Sequence, residues 1–302
     1  MIPVVVLCGF LGSGKTTLLN HLLRSARGTR IGVVVNDFGQ VNIDAFAVSA
    51  QVDSMVSLSN GCLCCAVDGS ELGEMLSRLA SADLDVIVIE ASGLAEPQTL
   101  VRMVLDAPGV TYGGLIYVVD AVEHAAVPDL DKHLRIADLV VVNKIDRGSV
   151  SLDVDVPVMP VSFGRIDPAV LFEVRPPSSG PRQLSFDDLD DHSTHAHASY
   201  ASVSVELDGV VHPRLFMEFL RSRPPGLFRI KGFVNFGFSS LALHTVGAFV
   251  EFTQAPRRRT QLVLIGTDVS GLREAVESCV VTEPFDEQEM LWVLRYLQQP
   301  ST

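Results

Sequence analysis

The feature that most constrains the fold is a glycine-rich loop between a strand pattern and a helix pattern. The run Gly9-Phe10-Leu11-Gly12-Ser13-Gly14-Lys15-Thr16-Thr17 matches the phosphate-binding loop of nucleotide-binding proteins. Residues 2–7 before it are apolar and β-branched, which predicts a buried strand. Residues 16–26 after it place leucines at helical spacing. A strand, a glycine turn and a helix in this order give the context that the motif requires, rather than a chance glycine-rich turn.

The residue types in this loop predict specific roles. The glycines let backbone N–H groups of residues 12–17 curl around phosphate oxygens, at a helix N-terminus that favours anions. Lys15 is expected to reach the β and γ phosphates, and the Thr16 hydroxyl is expected to bind Mg²⁺. The sequence therefore predicts binding of a nucleoside triphosphate with Mg²⁺.

A second motif indicates which base is bound. Residues 139–142 form an apolar strand pattern that ends in Asn143-Lys144-Ile145-Asp146. The carboxylate of Asp146 can accept hydrogen bonds from N1–H and the exocyclic amine of guanine, a donor pair that adenine lacks. The motif favours GTP over ATP, with a general ATPase or kinase as the alternative. Ser162, after a predicted strand at 154–161, is a further candidate for guanine contact.

Two acidic residues end predicted strands. Glu90 follows the apolar residues 86–89, which is the usual place for a carboxylate that binds Mg²⁺ directly or through water. Asp120 follows the strand 115–119 and is interpreted as a helix cap or turn former.

Asp37, Gln40 and Glu90 are the candidates for orienting the attacking water. No arginine finger is evident, so we expect slow intrinsic hydrolysis that dimerisation, metal or a client protein accelerates.

The cluster Cys62-Leu63-Cys64-Cys65 predicts a transition-metal site. Thiolates select Zn²⁺, Cu⁺ and related ions, and a tetrahedral zinc site would need a ligand from elsewhere in the chain. A buried cysteine set and a redox pair are the alternatives. Cys8 and Cys279 stand alone in apolar stretches and are predicted to be core residues.

Composition limits the class of partner. The chain has 302 residues, 47% of them hydrophobic, and a formal net charge of −13. The negative charge argues against nucleic acid or anionic membranes as partners. Neither a basic leader nor a membrane-spanning apolar run is recognised, and clustered thiols suit a reducing compartment, so we expect a cytoplasmic protein.

The pattern predicts two domains. Residues 1–175 alternate apolar strands with helices, which predicts a mostly parallel sheet with helices on both faces. Residues 176–199 are rich in proline, serine and aspartate and predict a flexible linker, in which His192, His195 and His197 are interpreted as solvated rather than metal-binding.

Residues 200–302 predict a smaller α+β domain. Its predicted strands include 227–236, 241–252 and 261–266, and its predicted closing helix spans 287–298. Arg229 and Lys231 are expected to be solvated surface residues, with a partner or interdomain surface as the alternative.

Taken together, these motifs resemble the CobW-type metallochaperone GTPases. The resemblance rests on residues 9–17, the run Asn36-Asp37-Phe38-Gly39 with Ile43-Asp44, residues 60–65, residues 90–97 and residues 143–146. In the second half, residues 227–232 and 260–266 resemble the C-terminal domain of that family. Asp37 and Gln40 stand where the family often has glutamate.

The resemblance implies GTP hydrolysis to GDP coupled to delivery of a transition metal to a client metalloprotein. It implies that residues 36–44 form a switch segment that nucleotide and Mg²⁺ order. Zinc is the expected ion. Cobalt or iron delivery, as in activation of nitrile hydratase or the cobalamin pathway, is the alternative. A nucleotide-gated metal buffer or thiol redox sensor with negligible turnover is the alternative outside enzymes.

Overall fold

The structure is a computed structural model of the chain. It describes residues 1–26, 28–35, 54–57, 70–173, 201–224, 226–256, 259–283 and 285–297. The candidate water-orienting residues Asp37 and Gln40, the cluster Cys62, Cys64 and Cys65, and the predicted linker 176–199 with its three histidines lie outside these ranges.

The first half of the chain forms a seven-stranded sheet in which every paired strand is parallel. In chain order its strands are β1 (Ile2–Gly9), β2 (Ile31–Val35), β3 (Ser54–Ser57), β4 (Val86–Glu90), β5 (Val110–Asp120), β6 (Leu139–Asn143) and β7 (Val158–Pro160). Their order across the sheet is β3-β2-β4-β1-β5-β6-β7. The central strands are apolar along their length because both faces of the sheet are buried.

Helices cover the two faces of this sheet. They are α1 (Lys15–Ser25), α2 (Ser70–Ala80), α3 (Pro97–Asp106) and α4 (Leu130–Leu134), with short 3₁₀ helices at His124–Ala126 and Pro168–Val170. Two separate buried clusters result: one contains Leu76 and Leu100 from α2 and α3, and the other contains Leu18 and Leu22 from α1. The predicted α/β fold with helices on both faces is confirmed.

The second half forms a smaller antiparallel sheet with helices, as predicted. Its elements are β8 (Ala201–Leu207), β9 (Val210–Val211), α5 (Pro213–Arg221), β10 (Leu227–Asn235), β11 (Ser240–Val246), β12 (Phe249–Ala255), β13 (Thr260–Gly266), α6 (Leu272–Glu277), β14 (Val280–Val281), a 3₁₀ helix (Glu287–Met290) and α7 (Leu291–Leu294). Five of its strands form a sheet in the order β12-β11-β10-β13-β8, and β9 pairs with β14.

One predicted strand of this half is wrong, and the predicted closing helix is shorter than expected. Residues 241–252 are not one strand but the hairpin β11–β12, because Gly247 takes a left-handed conformation with φ of 53° and reverses the chain. A side chain at Gly247 would also collide with the carbonyl oxygen of Asp138. The predicted helix 287–298 begins as a 3₁₀ turn, and its α-helical part ends at Leu294.

The two sheets share buried surface. Phe228, Val246 and Ile265 from the antiparallel sheet belong to the same buried cluster as the α1 leucines. At the hairpin turn, the backbone N–H of Ala248 donates to the carbonyl oxygen of Asp138 at 2.7 Å. The second half therefore completes the core on the α1 side of the parallel sheet.

The expectation that the Arg229 side chain is solvated is wrong. It is 0% exposed, and its Nη1 donates to the carbonyl oxygen of Ala169 at 2.7 Å. Its Nη2 lies 3.6 Å from a carboxylate oxygen of Glu173. A planar guanidinium with several donors can satisfy such mixed partners when buried, whereas sequence alone shows only an arginine in a strand. The alternative interpretation, an interdomain residue, is the correct one.

Asp138 supports a prediction about stability. Its Oδ2 accepts hydrogen bonds from the hydroxyl of Tyr112 and, at 2.8 Å, from the backbone N–H of Leu115. Asp138→Ala is expected to lower the free energy of unfolding by about 2–4 kcal/mol, because it leaves both donors without an acceptor. Urea unfolding measures this change, and the exposed Asp153→Ala is the matched control. A loss below about 0.5 kcal/mol, the usual range for surface changes, would contradict the prediction.

The two isolated cysteines are buried in the structure. Cys8 and Cys279 are 1% and 3% exposed, so their prediction as core residues is confirmed. Burial raises the pKa of the Cys8 thiol to about 12, which keeps it protonated.

Among the helices in the described parts of the chain, none is both long and apolar enough to cross a membrane.

Candidate functional site

The phosphate-binding loop joins the carboxyl end of β1 to the first residue of α1. Gly14 precedes the helix with φ of 99°, a left-handed conformation that glycine adopts without steric cost. A side chain at Gly14 would collide with the side-chain amide of Asn143. The chain thus turns directly into α1, and the N-terminal backbone N–H groups of the helix lie at the loop.

Lys15 is buried at the base of this loop. It is 7% exposed, and its Nζ donates to the carbonyl oxygens of Gly9 at 2.9 Å and Phe10 at 3.1 Å. Burial lowers the pKa of Lys15, and the negative charge of Glu90 opposes that shift. The loop therefore holds a positive charge at low solvent exposure, where its attraction for an anion is strong.

Ser13 tests whether the loop suits a phosphate. Its hydroxyl oxygen is buried and has no hydrogen-bond partner among the described residues. A buried hydroxyl without a partner is costly, and a phosphate oxygen is an acceptor that would satisfy it. The donors of the loop therefore fit the phosphates of a nucleotide.

Thr16 and Glu90 come together as the sequence predicts for a Mg²⁺ site. The Thr16 hydroxyl donates to Oε1 of Glu90 at 2.5 Å. Glu90 is 5% exposed at the carboxyl end of β4, which lies next to β1 in the sheet. A hydroxyl and a carboxylate are ligand types that Mg²⁺ prefers, so the pair fits that ion.

Asn143 links the base motif to the phosphate loop. It is 2% exposed at the end of β6, its Nδ2 donates to the carbonyl oxygen of Ser13 at 2.9 Å, and its Oδ1 accepts from the backbone N–H of Gly164 at 2.9 Å. One side chain therefore fixes the phosphate loop relative to the loop after β7, which contains Ser162.

Lys144 follows Asn143 and turns the chain. It has φ of 62°, an uncommon conformation for a residue with a side chain. Its Nζ donates to the carbonyl oxygen of Gly12 at 2.8 Å and to Oδ2 of Asp120 at 2.5 Å. The lysine thus reaches across from β6 to the phosphate loop, and Asp146 lies exposed two residues beyond it.

Asp120 has the predicted role of turn former and a further contact that the sequence did not reveal. Its Oδ1 accepts from the backbone N–H groups of Val122 at 2.9 Å and Glu123 at 3.3 Å. Burial acts to raise the pKa of Asp120, but the hydrogen bonds from Lys144, Val122 and Glu123 outweigh burial and lower it. The ionised Asp120 therefore holds Lys144 in place. Asp120 ends β5 and Lys144 follows the end of the neighbouring strand β6, so the order of strands in the sheet brings this pair together.

Comparison with known families identifies the fold. Residues 3–159 match the family described as CobW/HypB/UreG, nucleotide-binding domain. This chain belongs to the CobW/HypB/UreG family. Residues 200–280 match the cobalamin synthesis protein cobW C-terminal domain. The resemblance inferred from the motifs is confirmed for both halves, and the loop, Thr16–Glu90 and Asn143 contacts lie within the nucleotide-binding match.

Several proteins are similar to this CobW-family chain. The zinc chaperone CobW of Sinorhizobium sp is 29% identical over 345 residues, covering 92% of this chain and 97% of that protein. The zinc chaperone YjiA of Escherichia coli K12 is 30% identical over 194 residues, covering 57% of this chain and 61% of that protein. The hydrogenase maturation factor HypB of Archaeoglobus fulgidus is 26% identical with a TM-score of 0.37, covering 48% of this chain and 67% of that structure.

Proposed function

We propose that this protein is a GTPase metallochaperone that couples its nucleotide state to binding of a transition metal, zinc, and delivery of that metal to a client metalloprotein. The observation that carries the GTPase part is the position of Asn143. It joins the base motif to the phosphate loop inside a CobW/HypB/UreG nucleotide-binding domain. The chain is a GTPase, and its products are GDP and phosphate.

The hydrolysis follows from the charges at the loop. Water attacks the γ-phosphorus, the bond to the β,γ-bridging oxygen breaks, and a proton from the water goes to the phosphate product. Lys15 and the loop N–H groups stabilise the charge on the transferring phosphoryl group. Thr16 and Glu90 are proposed to hold Mg²⁺, which supplies further positive charge on the phosphate oxygens when bound. Asp37, Gln40 and Glu90 remain the proposed candidates for orienting the water.

The metal part of the proposal is supported by the thiols and by the relatives. Cys62, Cys64 and Cys65 lie in the segment between β3 and α2. Two similar proteins carry the name zinc chaperone, and a Dictyostelium discoideum protein named zinc-regulated GTPase metalloprotein activator 1 is 43% identical over 109 residues, 32% of this chain and 23% of that protein. Thiolate ligands favour Zn²⁺ over harder ions, so we propose zinc ahead of cobalt and iron.

A zinc titration tests the coupling. Serine at Cys62, Cys64 and Cys65 together is expected to weaken zinc binding by at least about 1000-fold, because thiolate coordination supplies most of the binding free energy of such sites. The titration is done with GDP, with a non-hydrolysable GTP analogue and without nucleotide, and repeated with Co²⁺ and Fe²⁺. We expect zinc affinity in the unchanged protein to differ between nucleotide states.

Cys279→Ala is the matched control, since that thiol is buried in the second half of the chain. Zinc affinity that persists in the triple variant would remove the cysteine cluster from the proposal. Affinity that is lost in the triple variant but is indifferent to nucleotide would leave a GTPase whose metal site is structural.

We also propose the division into a GTPase domain at 1–175, a linker at 176–199 and a C-terminal domain at 200–302. The partner in this proposal is a client metalloprotein, and self-association to a dimer is a second route to faster hydrolysis. Slow turnover of the metal-free monomer, rising with zinc and client, is the behaviour that such coupling requires.

A further inference from the structure

A cavity of about 350 Å³ lies between the two sheets, at the edge opposite to the phosphate loop. Its walls come from the amino-terminal ends of β1 and β5, the segment after the 3₁₀ helix at Pro168–Val170, and the hairpin β11–β12. The apolar part of the wall is formed by Met1, Pro3, Val5, Leu171 and Phe172. Its volume is within the range of small-molecule sites, which often lie between domains.

The polar part of the cavity wall is acidic. Asp85, Glu173 and Glu251 line it. The described lining residues include no lysine or arginine, and the amino group of Met1 is the positive charge that acts on Glu251. Asp85 already accepts hydrogen bonds from Arg30. Glu173 lies 3.2 Å from Nζ of Lys231 and 3.6 Å from Nη2 of Arg229.

Glu251 differs from the other two acids. Its Oε1 is buried, and it has no hydrogen-bond partner among the described residues. Burial of this oxygen carries a desolvation cost that no described hydrogen bond offsets, and the charge of the Met1 amino group offsets it only in part, since the pKa of Glu251 is still raised. A ligand that brings a hydrogen-bond donor or a positive charge to this wall would recover that cost.

His244, the residue opposite Glu251 in the sheet, does not bring a positive charge to that carboxylate. His244 pairs with Glu251 in the antiparallel register of β11 and β12. Its Nδ1 lies 3.3 Å from Nη2 of Arg229 and must accept, because a guanidinium only donates. Burial, Arg229 and Lys231 lower the pKa of His244 to about 3, so the imidazole is neutral.

We propose that this cavity binds a small organic cation, a protonated amine on an apolar body. The ammonium group contacts the carboxylate of Glu251, and the apolar body packs against Pro3, Val5, Leu171 and Phe172. The site is separate from the nucleotide site and is independent of the proposed metal function.

The affinity of this site for a cation is expected to depend on pH. Burial raises the pKa of Glu251 to about 7, with the amino group of Met1 acting in the opposite direction. The other charged or titratable groups on the cavity wall are Asp85, Glu173 and the neutral His244. A cation favours the ionised carboxylate, so its binding releases a proton near neutral pH and tightens as the pH rises from 6 to 8.

Calorimetric titration of the full chain tests the proposal with probes that share one apolar body. The probes are 2-phenylethylamine, 2-phenylethanol and 3-phenylpropionate, with butylamine and hexylamine as further cations. At pH 8 the amine is expected to bind at least about tenfold more tightly than the alcohol, a difference typical of one charged contact at a partly buried site. Binding of the propionate is expected to be weaker than both.

Two variants and one control variant test whether the amine binds in this cavity. Glu251→Gln is expected to abolish the preference for the amine and its pH dependence, whereas Glu283→Gln, at an exposed glutamate, leaves both unchanged. Thr253→Trp fills part of the cavity from an exposed position and is expected to weaken all the probes. The proposal is overturned if no amine binds at millimolar concentration, if the alcohol or propionate binds as well as the amine, or if Glu251→Gln keeps the preference.

Discussion

Replacing Lys15 with methionine is expected to lower kcat for GTP hydrolysis by about 10²–10³-fold, the usual cost of losing one charge-stabilising donor. The lysine is 7% exposed and sits within the phosphate loop, held by the carbonyl oxygens of Gly9 and Phe10. Methionine keeps the length and apolar stem of the side chain but removes its charge. The loss therefore reports on stabilisation of the transferring phosphoryl group rather than on packing.

Single-turnover hydrolysis at saturating GTP separates this effect from weaker binding. The control is Lys132→Met, an exposed lysine whose Nζ lies 3.0 Å from a carboxylate oxygen of Glu96 outside the loop. We expect the control to hydrolyse GTP at the rate of the unchanged protein, with both variants unfolding at similar temperatures. A loss smaller than about threefold for Lys15→Met would show that the charge of this lysine does not act in the chemical step.

Replacing Asp146 with asparagine is expected to weaken GTP binding by at least about 100-fold while leaving ATP binding unchanged. Guanine presents two adjacent donors, and an amide can accept from only one of them and opposes the other with its own N–H group. Sites that hydrogen-bond a ligand group discriminate strongly when that pairing is lost. The scaffold around Asp146 is unaffected, because Asn143 and Lys144 make the contacts that hold the loop.

Competition of unlabelled GTP and ATP against a fluorescent GDP analogue measures both affinities. Asp153→Asn, a nearby exposed aspartate, is the control and is expected to retain the preference for GTP. If Asp146→Asn retains that preference as well, the base is read by other residues, and the guanine assignment of residues 143–146 is wrong.

The sequence predicts the parallel half of the fold well because its signals are local. The apolar runs at 2–7, 86–89, 115–119 and 139–142 correspond to buried strands, and the phosphate loop fixes which edge of the sheet carries the nucleotide. The prediction of strands fails where the conformation of a single residue reverses the chain. Gly247 splits residues 241–252 into two strands, and neither periodicity nor composition distinguishes its left-handed turn from a glycine inside a strand.

The contacts of the candidate site were only partly predictable. Thr16 and Glu90 are each predicted as Mg²⁺ ligands from their motif positions, so their contact is expected. The ion pair of Lys144 with Asp120 and the complete burial of Arg229 do not, because they depend on the order of strands and on the packing of one sheet against the other. Long-range pairing of this kind is set by tertiary geometry, which a single sequence does not display.

The shared core of the two sheets has a consequence for biosynthesis. Phe228, Val246 and Ile265 complete the cluster that buries the inner face of α1, the helix that begins at the phosphate loop. A ribosome releases the strands of the parallel sheet well before it releases Ile265, so the part of this cluster that Phe228, Val246 and Ile265 cover stays exposed until then. Folding of the nucleotide site is then expected to finish only after the last third of the chain has emerged, and chains interrupted before that point are expected to be substrates for chaperones and proteases.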